Sequence, residues 1–325
     1  MLRWGILGTA RINRRLIPAI RLGRRSELVA VASRTRARAE AYAAEWNIPR
    51  AFGGYQALLD DPGIDAVYIP LPNSEHVPWT LAAVTAGKHV LCEKPMALDP
   101  ADVDRIRAAA AAAKVVVEEG YMYRHEPLTA KVLELVQGGA LGTVRAIVSG
   151  FTFALTRDTD PRLDPALGGG SLWDVGCYPV TYSQLLAGGP PKMVFGSAHW
   201  HRSGVDEEFM GMLRFPGGTT ATIYSGFRAA LRTWLEVVGS EGSLTVPNPF
   251  KPGSRETLEL ERHGRAEAIE VAGSPELFVR QVRHFENAAL DGAPSVVTLA
   301  ESRQAAATLS ALLGSARDAA AMYPD

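Results

Sequence analysis

The sequence predicts a two-domain α/β protein: a doubly wound domain over residues 1–122, followed by an α+β domain over residues 123–325 with a large, mostly antiparallel sheet. Three observations lead to this prediction. A length of 325 residues is typical of two domains. Short apolar runs alternate with helical patterns up to about residue 122. After about residue 143, strand-like segments follow one another between turn signals.

The N-terminal half contains five short apolar runs of the kind that suits strands buried on both faces of a parallel sheet. They span residues 3–7, 28–32, 66–69, 90–92 and 115–117. Helical patterns over 12–22, 36–46 and 76–86 lie between the runs. Asp99 followed by Pro100 is typical of the first residues of a further helix.

The C-terminal half contains segments with strand-like composition and antiparallel spacing. They span residues 143–153, 191–200, 207–215, 218–227 and 232–240. The last segment, 298–320, is predicted to be a long helix that begins at a capping box formed by Thr298 and Glu301. This helix is a candidate to pack back on the N-terminal domain.

The composition excludes several classes of protein. With 47% hydrophobic and 21% charged residues and a net charge of −1, the chain gives no reason to expect a nucleic-acid or membrane partner. The two cysteines, Cys92 and Cys177, predict neither a disulfide framework nor a thiolate metal cluster, and they favour the reducing cytoplasm. We expect no signal peptide at MLRWGILG, and no apolar stretch reaches the roughly 18 residues that span a bilayer.

The loop after the first predicted strand reads GTARIN (8–13), where a dinucleotide-binding fold carries Gly-x-Gly-x-x-Gly. Only Gly8 matches, because Ala10 and Asn13 replace the other two glycines. Backbone amides at such a helix start approach a pyrophosphate. We therefore predict that the cofactor contacts Gly8, Thr9, Ala10, Arg11 and Ile12. A purely structural glycine turn is the alternative.

The second predicted strand ends in basic and hydroxyl residues. NAD-preferring folds usually place an Asp or Glu there for the ribose 2′-hydroxyl. Here Ser33 and Arg34 occupy the turn, and Arg36 and Arg38 follow. Guanidinium groups beside a hydroxyl suit a 2′-phosphate. We predict that Ser33, Arg34 and Arg38 bind NADP(H) in preference to NAD(H), which remains possible; the alternative is a solvated basic helix start.

Two further stretches carry reactive side chains. Glu93-Lys94-Pro95 follows a predicted strand, at the edge of an open sheet where ligands bind, and the proline keeps Lys94 from continuing into a helix. In GGGSLWDVGCYPV (168–180), Asp174 and Tyr178 are four residues apart and share one helical face. A surface turn and a glycine turn before a helix are the respective alternatives.

Together these motifs resemble one family, the glucose–fructose oxidoreductase, inositol dehydrogenase and rhizopine catabolism (Gfo/Idh/MocA) oxidoreductases. The resemblance covers nearly the whole chain and rests on WGILGTARI, VYIPLPNSEHVPWTLAAVTAGKHVLCEKP, GYMYRHEP and GGGSLWDVGCYPV. It implies an N-terminal Rossmann domain, a C-terminal domain with an open-faced sheet, a nicotinamide cofactor and a sugar or polyol substrate. Tyr178, where many relatives carry His, is similar to the branch of glucose–fructose oxidoreductase, xylose dehydrogenases and dihydrodiol dehydrogenases.

The resemblance also assigns roles to further residues. It implies that Leu71, Pro72, Asn73 and His76 line the cofactor and that Glu93 approaches its nicotinamide ribose. Arg124 is expected to bind substrate oxygens, with a structural ion pair as the alternative. The family further implies a homodimer or homotetramer formed through the C-terminal sheet. For Leu71, Pro72 and Asn73 a plain turn is the alternative, and for His76 it is capping of the following helix.

The residues suggest a mechanism in which Tyr178 is the general acid/base. A free tyrosine has a pKa of about 10, and a nearby lysine ammonium lowers that value. Lys94 is the predicted source of this charge and hydrogen-bonds the reacting oxygen, while Asp174 accepts a second substrate hydroxyl or orients Lys94. Lys94, Asp174 and Tyr178 are thus the predicted catalytic residues, and Arg124, Asp174 and Tyr178 the predicted substrate-binding residues.

Three rival interpretations were considered. His199 and His201 would share a face of a strand, but without a third ligand they do not predict a metal site. A non-catalytic NADP-binding sensor of the same fold is the alternative function. A zinc alcohol dehydrogenase would need cysteine-rich metal sites, which two cysteines do not provide.

Overall fold

The structure, a computed structural model, describes residues 1–273 and 277–318. The chain divides into two compact units. The first comprises Met1–His125 with residues 277–303, and the second comprises Glu126–Gly273 with residues 304–318. The last two residues of the predicted C-terminal helix, 319 and 320, lie outside the described residues.

The first unit is built on a six-stranded parallel sheet with the strand order β3-β2-β1-β4-β5-β6. Its strands are β1 (Leu2–Leu7), β2 (Ser26–Ser33), β3 (Arg50–Gly53), β4 (Ala66–Ile69), β5 (His89–Cys92) and β6 (Val117–Glu119). Its helices are α1 (Asn13–Leu22), α2 (Arg36–Trp46), α3 (Tyr55–Leu59), α4 (Asn73–Thr85), α5 (Pro100–Ala113) and α8 (Val279–Asp291). The predicted doubly wound fold is confirmed.

Two strands of this sheet differ from the sequence prediction. The apolar run at 115–117 predicted a strand, but β6 spans Val117–Glu119, since Val117 pairs with Val90 and the ladder continues through Glu118 and Glu119. Both glutamates are buried, which an apolar-run criterion cannot detect. The pattern also missed β3, a four-residue edge strand that is only half-buried.

The order of the strands determines where a ligand can bind in the first unit. Strands β2 and β3 lie on one side of β1, and strands β4, β5 and β6 lie on the other side. The order in which successive strands are added therefore reverses at β1. In open α/β sheets, the carboxyl ends of strands at such a reversal form the ligand crevice. Gly8, Ser33 and Glu93 each lie at or just after the carboxyl end of a strand.

The second unit is built on an eight-stranded sheet with the order β14-β13-β12-β11-β7-β10-β9-β8. All neighbours are antiparallel except β7 and β10. The strands are β7 (Val144–Thr152), β8 (Met193–Trp200), β9 (Asp206–Arg214), β10 (Thr220–Gly226), β11 (Arg232–Gly239), β12 (Gly242–Val246), β13 (Arg255–Arg262) and β14 (Arg265–Ala272). The helices of this unit are α6 (Pro127–Gln137) and α7 (Cys177–Ala187), and α9 (Leu299–Asp318) belongs to it from residue 304 onward.

The start of α9 matches the predicted capping box. The backbone N–H of Glu301 donates to Thr298 Oγ1 at 3.2 Å, and the N–H of Thr298 donates to the Glu301 carboxylate at 2.9 Å. These two bonds satisfy orphan donors at the helix start.

In the described part of the chain, no helix is long and apolar enough to cross a bilayer.

One face of the second sheet is covered and the other is open. Phe209, Leu213 and Ile223 point into the core and are at most 1% exposed. On the opposite face, Phe195 and Met212 are paired neighbours and are 50% and 46% exposed. The alternation of buried and exposed positions along β9 is what an antiparallel sheet with one solvated face requires.

Candidate functional site

The loop after β1 narrows around Gly8. Gly8 has a φ of +107°, a conformation that L side chains rarely adopt, and a Cβ there would lie 2.9 Å from the side chain of Leu71. The side-chain amide of Asn13 donates to the Gly8 carbonyl at 3.0 Å and is fully buried. Asn13, which stands in place of the third glycine, therefore ties the start of α1 to the loop.

The end of β2 brings two of the predicted basic residues to this loop. Arg38 donates from Nε to Thr9 Oγ1 at 2.8 Å. The positive charges of Arg34 and Arg38 lower the pKa of Tyr55, although burial dominates and raises it. Arg36 instead pairs with Glu40 at 2.7 Å, within its own helix. Arg34 and Arg38 are thus the arginines whose charge acts beside the loop.

Tyr55 is a member of this group that the sequence did not indicate. Its hydroxyl lies 3.9 Å from the position of a Cβ on Gly8, and its ring makes an edge contact with Trp79 at 4.9 Å. No motif covers it, because it lies in a short helix after the edge strand that the sequence pattern missed.

His76 joins the loops that follow β4 and β5. Its Nδ1 lies 2.7 Å from the carbonyl oxygen of Pro95, and its Nε2 lies 2.8 Å from that of Leu71. The side chain is buried, and this burial lowers the pKa of His76. A neutral imidazole carries one N–H, so it donates to one carbonyl at a time. His76 therefore joins the loops that follow β4 and β5 rather than capping α4, and its place beside a cofactor remains a prediction.

Lys94 is half-buried at the carboxyl end of β5, and the peptide bond between Lys94 and Pro95 is cis. The next residue, Met96, donates its backbone N–H to the carboxylate of Glu119 at 2.8 Å. Burial raises the pKa of Glu119, and the Lys94 charge opposes this shift. Beside Lys94, the carboxylate of Glu93 accepts a hydrogen bond from the Tyr68 hydroxyl at 2.6 Å.

Arg124 has structural partners. Its guanidinium donates to Glu301 at 2.8 Å and to the carbonyl of Val296 at 3.2 Å, and its side chain is 11% exposed. This is the ion pair weighed as the alternative above. A role of Arg124 in binding substrate oxygens remains a prediction.

In the second unit, Asp174 and Tyr178 lie on one continuous helical segment. Leu172–Gly176 form a π-helix, which passes directly into α7. The sequence predicted only that Asp174 and Tyr178 share a helical face; the structure adds a π-turn at Asp174. Single π-turns inside helices occur frequently at functional sites.

Asp174 and Tyr178 have distinct surroundings. Arg162 donates from Nε to the Asp174 carboxylate at 2.6 Å, and Asp174 in turn raises the pKa of Arg162. Tyr178 is 4% exposed, and its ring lies 5.5 Å from the rings of Phe151 and Phe250. Arg162 was not singled out in the sequence, because it lies in a three-residue 3-10 helix, Pro161–Leu163, 12 residues before its partner.

The two histidines near the end of β8 have different partners. His199 lies 3.2 Å from Glu207, whereas His201 contacts the hydroxyl of Ser203 at 2.9 Å. His201 also lies beyond the last residue of the strand, Trp200. Within residues 1–273 and 277–318, no cluster of three His, Cys, Asp or Glu side chains could hold a metal ion.

Comparison with known proteins decides the family. Residues 2–121 match the model of the oxidoreductase family with an NAD-binding Rossmann fold, and residues 129–245 match the Gfo/Idh/MocA C-terminal domain. The chain belongs to the Gfo/Idh/MocA oxidoreductase family. The resemblance inferred from the motifs is thereby confirmed.

Individual relatives fall in the branch indicated by Tyr178. The chain is 37% identical to D-xylose 1-dehydrogenase (NADP(+)) 2 of Haloferax volcanii, over 99% of both chains. Its fold is similar to that of a 3-ketoreductase from Actinomadura kijaniata in complex with NADP and TDP-benzene, with a TM-score of 0.91, 30% identity and 97% of both chains covered. It is also similar to an aldose-aldose oxidoreductase from Caulobacter crescentus complexed with glycerol, with a TM-score of 0.90, 30% identity and 98% of both chains covered.

The contacts of His76 give a first prediction. His76→Phe retains a ring but removes both nitrogens, so the buried carbonyl of Pro95 loses its partner. We expect the free energy of unfolding, measured by urea titration, to fall by about 1–3 kcal/mol. The control is Thr85→Ala on the same helix, which removes an exposed hydroxyl that donates to Leu81. This substitution should change the free energy of unfolding by less than about 0.5 kcal/mol. Equal losses in both variants would contradict the bridging role.

Proposed function

We propose that this chain is an NADP-dependent oxidoreductase that transfers a hydride between a nicotinamide cofactor and a hydroxyl-bearing or carbonyl carbon of a sugar, polyol or similar compound. The observation that carries this proposal is the placement of Lys94 at the carboxyl end of β5, on a segment secured by His76 and Glu119. The family supports this proposal. One relative, aligned over 99% of the chain, is an NADP-dependent D-xylose dehydrogenase.

The residues around Gly8 fit a dinucleotide carrying a 2′-phosphate. A Cβ on Gly8 would lie 2.9 Å from the side chain of Leu71, so only glycine suits this loop, and α1 begins directly after it. Arg38 already donates to Thr9 in the loop, and no acidic residue ends β2. Arg34, Arg38 and Ser33 would hold the phosphate, and the loop amides the pyrophosphate. When bound, NADP(H) supplies or accepts the hydride.

Tyr178 is the proposed general acid/base. The oxidation of an alcohol releases a proton, which requires an acceptor at the reacting oxygen. Phe151 and Phe250 pack against the Tyr178 ring, and these contacts hold the ring in place. Lys94 is the proposed source of positive charge for the reacting oxygen.

Asp174 is the proposed acceptor of a second substrate hydroxyl. The guanidinium of Arg162 donates to one carboxylate oxygen of Asp174, Oδ2, and thereby orients the carboxylate. The 3-ketoreductase from Actinomadura kijaniata has also been solved as a tyrosine-to-phenylalanine variant and as lysine-to-alanine and lysine-to-glutamate variants. These are the residue types proposed here for Tyr178 and Lys94.

A substrate screen tests the function directly. The purified chain would be mixed with NADP⁺ or NAD⁺ and a panel of aldoses, inositols and dihydrodiols, beginning with D-xylose, while nicotinamide absorbance is followed. Turnover with a sugar or polyol supports the proposal, and faster turnover with NADP⁺ supports the cofactor assignment. Binding of NADPH without any redox change across the panel would favour the alternative, a non-catalytic sensor.

Replacement of Tyr178 tests the proton-transfer role. Tyr178→Phe retains the ring contacts but loses the hydroxyl, so we expect turnover to fall by roughly 10²- to 10⁴-fold while NADPH affinity is unchanged. Tyr182→Phe is the matched control, because Tyr182 is buried one helical turn later and its hydroxyl lies 3.5 Å from Thr129. Unchanged turnover in Tyr178→Phe would exclude the assignment.

The cofactor preference is tested by two arginines on the same helix. Arg38→Ala should weaken NADPH binding by about tenfold or more, because a charge-assisted contact to phosphate is lost, and should leave NADH binding unchanged. Arg36→Ala removes an arginine that pairs with Glu40, so NADPH affinity should stay within about twofold. Fluorescence titration measures both affinities. Equal weakening of NADH and NADPH would argue against recognition of the 2′-phosphate.

The open face of the eight-stranded sheet is the proposed surface for a homodimer or homotetramer. Phe195, Met210 and Met212 lie on the neighbouring strands β8 and β9, Val148 lies on β7 on the far side of β10, and each side chain is more than a third exposed. Contiguous exposed apolar surface of this kind marks interaction sites. The assignment of the two units as cofactor-binding and substrate-binding domains, and a cytoplasmic location, remain predictions from the sequence.

The oligomer prediction is tested by a charge on that face. Met212→Glu places a carboxylate among apolar neighbours, so we expect analytical ultracentrifugation to show a shift towards the monomer. Leu290→Glu is the control, because Leu290 is a comparably exposed apolar residue outside the sheet, on α8. A wild-type chain that sediments as a monomer at all concentrations would refute the proposal.

A further inference from the structure

The helical segment 171–187, which carries Asp174 and Tyr178, begins against a buried carboxylate on the sheet. Asp206, the first residue of β9, is 1% exposed. One of its oxygens, Oδ2, accepts the backbone N–H of Leu172 at 2.7 Å and the hydroxyl of Ser171 at 2.8 Å. The Ser171 hydroxyl also lies 3.0 Å from that of Ser225 on β10, which extends the network to a second strand.

Two glycines before the segment lie where a side chain would collide with neighbouring atoms, and at Gly170 the neighbour is Asp206. Gly170 has a φ of +120°, and a Cβ on it would collide with Oδ1 of Asp206. A Cβ on Gly169 would collide with the carbonyl oxygen of Arg162, the residue that pairs with Asp174. The chain thus approaches Asp206 so closely that only glycine fits at Gly170.

We infer that Asp206 is the positioning residue for the helical segment that carries Asp174 and Tyr178. Its carboxylate satisfies donors in the first turn that have no partner within the helix, and so determines where on the sheet the segment begins. The importance of this position for catalysis rests on the function proposed above; the anchor itself does not.

The burial of Asp206 makes its contact with the helical segment sensitive to pH, and this sensitivity can be measured. Burial raises the pKa of Asp206 to about 6, although hydrogen bonds from Leu172 and Ser171 oppose the shift. Among the described residues, Asp206 forms no ion pair. The charged groups on the elements around it pair elsewhere: Arg162 with Asp174 and Asp160, His199 with Glu207, and Arg228 with Glu207 and Glu208.

Linkage determines the sign of the pH dependence. The pKa of Asp206 in the folded chain is about 6, above the ordinary value of 3.8 for an aspartate, so the folded site binds the proton more tightly than an opened, hydrated site does. The stability of the closed segment is therefore greatest at low pH, and it is lost as the pH rises towards 6. Above that value the ionised carboxylate carries its full cost of burial.

Amide hydrogen exchange of a peptide covering residues 170–178 tests the inference without a substrate or cofactor. After correction for intrinsic exchange, we expect protection in the wild-type chain to fall by roughly ten- to a hundredfold between about pH 4 and 6.5. Asp206→Asn should abolish this step, because the amide does not titrate. Asp206→Ala should also abolish it and lose at least about tenfold more protection than Asp206→Asn, which keeps an acceptor for Leu172.

Phe209→Leu is the matched control, because Phe209 is a buried residue on the same strand and carries no titratable group. It should lower protection across the second unit and leave the pH step in place. A wild-type chain without the step, or a step retained in Asp206→Asn, would overturn the inference, even if Asp206→Ala does not fold. Because no turnover is measured, failure of the proposed reaction would leave this result unaffected.

Discussion

Buried polar groups of irregular backbone need hydrogen-bond partners, and this requirement shapes the two segments that carry Lys94, Asp174 and Tyr178. The segment after β5 departs from regular structure, and Glu119 and His76 meet its buried N–H and C=O groups. The segment before α7 also departs from regular structure, and the Asp206 carboxylate accepts the backbone N–H of Leu172 there. Without these side chains, each segment would bury unsatisfied groups at a cost of about 1–3 kcal/mol apiece.

The partners are themselves ionisable, so burial changes their charge as well as their position. Burial raises the pKa of Glu119 and of Asp206 and lowers that of His76. In each case the shift favours the neutral form. Burial therefore favours the uncharged forms of Glu119, Asp206 and His76. The ion pair of Arg162 with Asp174, by contrast, is partly exposed to solvent.

Sequence patterns identified the residues that carry chemistry better than those that hold them. Lys94, Asp174 and Tyr178 stand in short motifs with unusual composition, so they were visible without a structure. Glu119 lies 23 residues from the backbone group it binds, and Asp206 lies 34 residues from its own. Neither has a neighbouring residue in the sequence that would mark it, because the pairing depends on which strands are adjacent.

The same limit explains the errors in secondary structure. The run at 115–117 is apolar, yet the ladder with β5 continues through Glu118 and Glu119. Both acids are buried, and the Glu118 carboxylate lies 3.2 Å from His125. An apolar pattern locates strands by what they bury, so it fails where a strand buries charge.

By itself, the sequence determined the family, the parallel sheet and the side chains proposed for catalysis, because these follow from local composition and short motifs. Only the tertiary structure decided that Arg162 pairs with Asp174, that His76 joins two loops, and that Asp206 meets the start of the helical segment. Those contacts join residues on different elements. Register and strand order bring such residues together, and no local pattern encodes either.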